Sequence, residues 1–158
     1  MINHSQDYVE YCRANAEQLR TLHDLALRGK SKERITQLIH EQIAREVQLC
    51  AEDDLVDIGC GDGTLLRMAE RIGVRSATGL QATEQEAAVL RKLGLKVLQG
   101  LTDRLPLGDE FASVVVCNGV LLIVPRERIP ASLSETYRIA KPGANTRNNY
   151  LFRKPLAA

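Results

Sequence analysis

Asp57, Gly59, Gly61 and Gly63 stand on alternate positions within LVDIGCGDGTLL, residues 55–66. An acid followed by three glycines at a spacing of two suits holding a ligand more than breaking a bond. Glycine lets the backbone turn tightly and lets a ligand approach with no Cβ in the way. Asp57 is suited to a cationic group, held directly or through water. A flat nucleoside or an amino-acid moiety would fit such a turn. Two other chemistries fail on spacing. The dinucleotide fingerprint G-x-G-x-x-G, counted from Gly59 and Gly61, puts its last position on Thr64. A phosphate-cradling loop needs Gly-Lys-Ser/Thr at the helix start, and Gly63-Thr64-Leu65 has no lysine. A purely structural turn is the remaining alternative.

Such a turn can act only if a strand and a helix hold it. Leu55 to Ile58 reads as a short strand and Leu65 to Ile72 as a helix closed by Gly73. Ala77 to Leu80 is a second strand. Thr83 and Glu86 form a capping box that opens a helix from Glu84 to Leu93, with Gly94 as its stop. Lys96 to Gln99 and Ser113 to Cys117 are a third and a fourth strand, and Pro130 starts a helix to about Ala140. Upstream, apolar residues from Gln6 to Leu27 recur at helical spacing. After the N-cap Ser31, Ile35, Ile39, Ile43 and Val47 recur every four positions beside Leu38, which predicts an amphipathic helix whose stripe needs a sheet to cover. Alternating strands and helices imply an α/β fold, a doubly wound parallel sheet with right-handed crossovers. In such a sheet the ligand crevice lies at the carboxyl ends of the strands, where strand order reverses.

Several segments in register then resemble one family. Asp57-x-Gly59-x-Gly61-x-Gly63 resembles motif I of the class I S-adenosylmethionine-dependent methyltransferases. Ala77 to Thr83 is similar to that family's second-strand end, Val97 to Leu107 (VLQGLTDRLPL) to its third-strand loop, and Phe111 to Val124 to its fourth strand and exit. Glu135 to Ala144, ETYRIAKPGA, is similar to its E-x-x-R-v-L-K-P-G-G turn. The small-molecule methyltransferases of the ubiquinone/menaquinone type are the nearest in pattern. The resemblance implies a Rossmann-like core over 51–158, a helical lid over 1–50, one domain over 1–158, S-adenosyl-L-methionine as cofactor and a small-molecule acceptor. It implies that Gly59, Cys60 and Gly61 present backbone to the methionine portion while Asp57 meets its ammonium group. Gln81 stands where the family has a ribose-binding acid, Leu101 where an acid often meets the adenine amino group, with the Thr102 and Asp103 backbone beside it. Asn118 is the side-chain contact nearest the methionine end. The exit Leu121-Leu122-Ile123 is apolar where the family commonly has histidine.

No obligatory catalytic residue follows from methyl transfer. Candidates for a general base are His4, His23, His40, Tyr8 and Tyr11, with Tyr8 and Tyr11 as the expected lid contacts. After Lys141-Pro142-Gly143 about fifteen residues remain, which predicts a partial fifth strand at Tyr150 to Phe152 and incomplete C-terminal strands. An exposed sheet edge would favour a homo-oligomer.

Composition excludes other classes. With 158 residues the chain can bury roughly two thirds of its unfolded surface in one core. Four dispersed cysteines predict reduced thiols and no zinc site, and a net charge of +1 argues against nucleic acid as partner. Seven basic residues against two acids from Arg126 onward read as a solvated face. No apolar run reaches the roughly 20 residues a bilayer needs and the start lacks signal-peptide grammar, so no membrane association and a cytoplasmic location are expected.

Overall fold

A computed structural model describes residues 31–148 and 150–153. The chain forms a six-stranded sheet with helices on both faces: α1 Lys32–Glu46, β1 Asp54–Ile58, α2 Thr64–Ile72, β2 Ser76–Gln81, α3 Glu84–Lys92, β3 Val97–Gln99, β4 Ala112–Cys117, α4 Ile129–Ile139, β5 Ala140–Asn148 and β6 Tyr150–Arg153. Two 3-10 turns, Val120–Leu122 and Arg126–Arg128, lie between β4 and α4. The expected helix from Gln6 to Leu27 lies outside the described residues.

Local signals place the elements. Ser31 accepts from the Arg34 amide at 3.3 Å and starts α1. Thr83 accepts from the Glu86 amide at 3.3 Å, the N-cap bond of a capping box, and its hydroxyl donates to the Glu86 carboxylate at 2.6 Å, which opens α3. Gly73, left-handed at φ 84°, closes α2.

The strand order is β3-β2-β1-β4-β5-β6, with the first five strands parallel and β6 antiparallel to β5. Order reverses between β1 and β4, where Asp57 is in register with Val116 on one side and Gly79 on the other. The crevice of this fold therefore opens beyond Ile58 and Cys117. Alternation splits the core: Leu55, Val114 and Val116 pack with α1 and α2 through Ile43, Val47, Leu65 and Met68. Val56, Ile58, Val115 and Cys117 pack on the opposite face with Leu105 and Ile139.

Three expectations change. The fifth strand is Ala140–Asn148, with Lys141-Pro142-Gly143 inside it. Between the pairs Ala112↔Ala140 and Val114↔Asn145, β4 advances two residues while β5 advances five, a bulge in which Gly143 takes φ 77°. Tyr150 to Phe152, expected to be part of the fifth strand, lies in β6, which returns antiparallel. The described part of the expected lid is a core helix: Ile43 and Val47 are wholly buried, and the Asn145 side chain donates to the Val47 carbonyl at 2.9 Å. Three members of the basic run are paired with acids, while Arg126 is exposed. Arg128 pairs with Asp103 at 2.7 Å, Arg138 with Glu135 at 2.7 Å and Asp109 at 2.9 Å, and Lys141 with Asp54 at 2.7 Å.

Candidate functional site

Asp57 sits one residue before the end of β1, only 3% exposed. Its Oδ2 has no hydrogen-bond partner among the described residues. Burial, reinforced by the negative charge of Asp62, pushes its carboxyl up to about 7. A buried acceptor with no donor is expensive unless a donor or a cation arrives. Asp57 is therefore poised to receive a cationic group.

The turn that follows uses three left-handed glycines, at φ 70°, 54° and 77° for Gly59, Gly61 and Gly63. Their roles differ. A Cβ on Gly59 would lie 2.3 Å from Val120 Cγ2, and one on Gly63 2.4 Å from Leu95 Cδ1, so both are packed tight. A Cβ on Gly61 would meet nothing within 4 Å, which makes that side of Gly61 the place where a ligand can approach the backbone.

The amides of Gly59 and Cys60 both donate to the Leu80 carbonyl, at 2.9 and 3.2 Å. The resemblance implies that Gly59, Cys60 and Gly61 present backbone to the methionine portion; the amide donors of Gly59 and Cys60 fasten the turn to β2. The Gly61 amide takes part in neither bond. The Cys60 thiol points away from reactivity, packed over Gly79, where a Cβ would meet Sγ at 2.6 Å. Burial, with the nearby charge of Asp57, pushes that thiol up to about 12.

Asp62, to which the sequence reading gave no role, organises the start of α2. Its Oδ1 accepts from the Thr64 amide at 2.9 Å and the Thr64 hydroxyl at 2.7 Å. Arg67 donates to the Asp62 carbonyl at 2.9 Å. Partial burial works to raise the Asp62 carboxyl, but the Thr64 bonds and the charges of Arg67 and His40 outweigh it and hold it below the usual range. The signal was present in the sequence as Asp-x-Thr at a helix start.

The walls come from β2, the β3–β4 loop and the exit of β4. Gln81 ends β2, and its side-chain amide donates to the Gly61 carbonyl at 2.8 Å. Leu101 is half-buried and packs with Val120, Ile123, Val124 and Ile129. The Thr102 hydroxyl is buried and shares a 2.8 Å hydrogen bond with Ser132 Oγ, so this side chain faces α4 while its backbone stays in the loop. The Asp103 carboxylate is engaged by Arg128. Asn118 is half-buried directly after β4, and Gly119, at φ 77°, starts the turn that carries Val120 onto Gly59. Asp57, Gly59, Gly61, Gly63 and Gln81 are thus brought together, with Leu101 joined to them through Val120.

A second device fixes the loop wall. Arg138 donates to the carbonyls of Leu105 and Leu107 at 3.2 and 2.8 Å and to both oxygens of Glu135, whose Oε2 also accepts from the Leu105 amide at 2.7 Å. The Glu-x-x-Arg spacing is therefore a clasp on residues 105–109. Of the five base candidates only His40 lies in the described residues. Its Nδ1 meets the Thr36 carbonyl at 2.8 Å, so Nδ1 carries the proton and Nε2 is the basic nitrogen; burial lowers its pKa. His4, His23, Tyr8 and Tyr11 lie outside the described residues. No described helix is long and apolar enough to cross a membrane.

Comparison with known proteins agrees with this geometry. The family model described as "Methyltransferase domain" matches residues 56–146. Malonyl-(acyl-carrier protein) O-methyltransferase of Serratia marcescens is 33% identical over 92 residues, 58% of this chain and 35% of that protein. The enzyme of the same name from Pectobacterium atrosepticum is 32% identical over 91 residues, again 35% of its length, so the chain spans about a third of these relatives. Among solved structures, a SAM-dependent methyltransferase from Thermotoga maritima superposes with a TM-score of 0.57 at 30% identity, covering 72% of this chain and 50% of that one. A SAM-dependent methyltransferase from Archaeoglobus fulgidus superposes at 0.62, 19% identical, over 80% of this chain and 56% of that one, which speaks for the fold alone. With the glycine turn, the strand order and a family match over more than half its length, the chain belongs to the class I S-adenosylmethionine-dependent methyltransferase family.

Proposed function

We propose that this chain binds S-adenosylmethionine at the turn Asp57–Gly63 and supports methyl transfer to a small-molecule acceptor. The observation that carries the reading is the buried, unpartnered Oδ2 of Asp57 beside a glycine turn open only at Gly61. When bound, the cofactor would supply an electrophilic methyl group on a sulfonium. Asp57 would hold the ammonium of its methionine portion by a charge-assisted hydrogen bond. Gly61 would admit the ligand against the backbone, and Gln81 Oε1, opposite the amide nitrogen used on Gly61, keeps acceptor capacity for a ribose hydroxyl. Leu101 and its apolar neighbours would present a surface for a flat base. The protein's contribution is position and exclusion of water, not a reacting side chain.

The composition of the β4 exit supports one acceptor class. Residues 118–125, NGVLLIVP, hold no ionisable group, and Leu122 is 66% exposed there. An acceptor already ionised at neutral pH, such as a carboxylate, needs no base to activate it. The curated relatives are named for O-methylation of malonyl-(acyl-carrier protein), whose malonyl group ends in a carboxylate. A carboxylate of a small acyl compound is accordingly the preferred acceptor.

A second reading, a non-catalytic or partner-dependent cofactor module, is favoured by the neutral Gln81 and the apolar exit. Incubation with methyl-labelled S-adenosylmethionine and a host metabolite extract, with and without added dicarboxylic monoesters, separates the two. Label in an ester product supports the enzyme; cofactor binding without labelled product in any mixture supports the module.

A further inference from the structure

Gln81 joins both walls of the crevice. Its side chain donates to the Gly61 carbonyl at 2.8 Å and its own carbonyl accepts from the Gly100 amide at 2.9 Å, the first residue of the loop that carries Leu101. A backbone carbonyl can only accept, so the atom of Gln81 that faces it must be the amide nitrogen. In register beside it on β3, Gln99 does the same with the Ala82 carbonyl at 3.2 Å. Gly61 is the one glycine of the turn with open space on its Cβ side, and packing on the others leaves its left-handed φ of 54° to be held by hydrogen bonding.

We propose that Gln81 is a positioning residue that holds Gly61 in its ligand-accepting conformation through the side-chain amide donor, so that an acid at this position weakens cofactor binding. This rests on the cofactor reading given above. The proposal has an unusual sign. A carboxylate is the better acceptor for a ribose diol, so if Gln81 serves mainly as a ribose contact, Gln81→Glu should tighten binding. If Gln81 serves as a donor, the same change removes the bond to Gly61 and sets a carboxylate against a carbonyl oxygen.

The test is calorimetric titration of S-adenosylhomocysteine into the wild-type chain, Gln81→Glu and Gln81→Met, at pH 8 and pH 5, with thermal melts to show that each variant folds. The expected result at pH 8 is a Kd for Gln81→Glu weaker than wild type by roughly three- to tenfold, the range of one neutral hydrogen bond. At pH 5 the gap narrows, because the facing Gly61 carbonyl favours the protonated carboxyl and raises its pKa above the ordinary value of about 4.3, and a protonated carboxyl can again donate to Gly61. Gln81→Met, with neither donor nor acceptor, is weaker at both pH values, and wild-type affinity there counts against the proposal even if Gln81→Glu does not fold. Equal or tighter binding by Gln81→Glu at pH 8, a gap unchanged at pH 5, or wild-type affinity in Gln81→Met would each overturn the proposal while leaving the cofactor reading intact. No binding by the wild-type chain would overturn both.

Discussion

Val120 occupies the space a side chain on Gly59 would need: a Cβ there would lie 2.3 Å from Val120 Cγ2. The first and fourth strand exits are therefore one packed unit, and the site cannot change on one side without moving the other. Gly59→Ala meets both this clash and a left-handed φ of 70°, with an expected stability loss of about 2–4 kcal/mol by urea unfolding and weaker cofactor binding. Val120→Ala in the Gly59→Ala background should recover part of the packing loss and none of the conformational cost.

Asp57 trades stability for binding. Its carboxyl is raised to about 7 in the folded chain, from roughly 3.9 when unfolded. Between these values the folded state holds a proton the unfolded state has lost, so stability falls as pH rises through that window and is lowest above pH 7. The difference of about three pH units corresponds to roughly 4 kcal/mol. Asp57→Asn should therefore raise Tm at pH 8, leave it nearly unchanged at pH 4, and weaken cofactor binding by more than about tenfold. Melts across pH 4 to 8 check the sign.

Thr78 offers a stabilising change away from chemistry. Its hydroxyl is wholly buried with no partner among the described residues. Thr78→Val keeps the shape and removes the unsatisfied group, and a gain of about 1 kcal/mol in unfolding free energy is expected with cofactor affinity unchanged.

The clasp on the β3–β4 loop predicts a local effect. Arg138→Lys keeps the charge but cannot bridge Glu135 and two carbonyls together. Hydrogen exchange should accelerate in residues 100–110 more than elsewhere, with a global cost of about 1–2 kcal/mol.

The sequence was most legible where one residue type has one physical reason. The three spaced glycines, the Ser31 and Thr83 caps and the valine run of β4 stand where their chemistry requires. β5 was misplaced because Lys-Pro-Gly reads locally as a turn, while the pairing with Val114 to Cys117 that absorbs it as a bulge is a long-range fact. α1 is different: the lid over 1–50 came from the resemblance, whereas the stripe of Ile43 and Val47, read as needing a sheet to cover it, finds one in the face of Leu55 and Val116. Ile43→Ala should accordingly cost about 2–5 kcal/mol of global stability, as for any core helix. In the site, Asp57 was identifiable by its position, whereas the bonds of Gln81 to Gly61 and of Thr102 to Ser132 join residues 20 and 30 apart and have no local signature.

The central claim, that Asp57 and the glycine turn bind S-adenosylmethionine, is tested most directly by titrating S-adenosylhomocysteine into the wild-type chain and Asp57→Asn at pH 8. Saturable one-to-one binding by the wild type, weakened more than about tenfold by the substitution and falling as pH drops below 7, is the expected result. No heat of binding at millimolar ligand, or equal affinity in Asp57→Asn at pH 8, would contradict it.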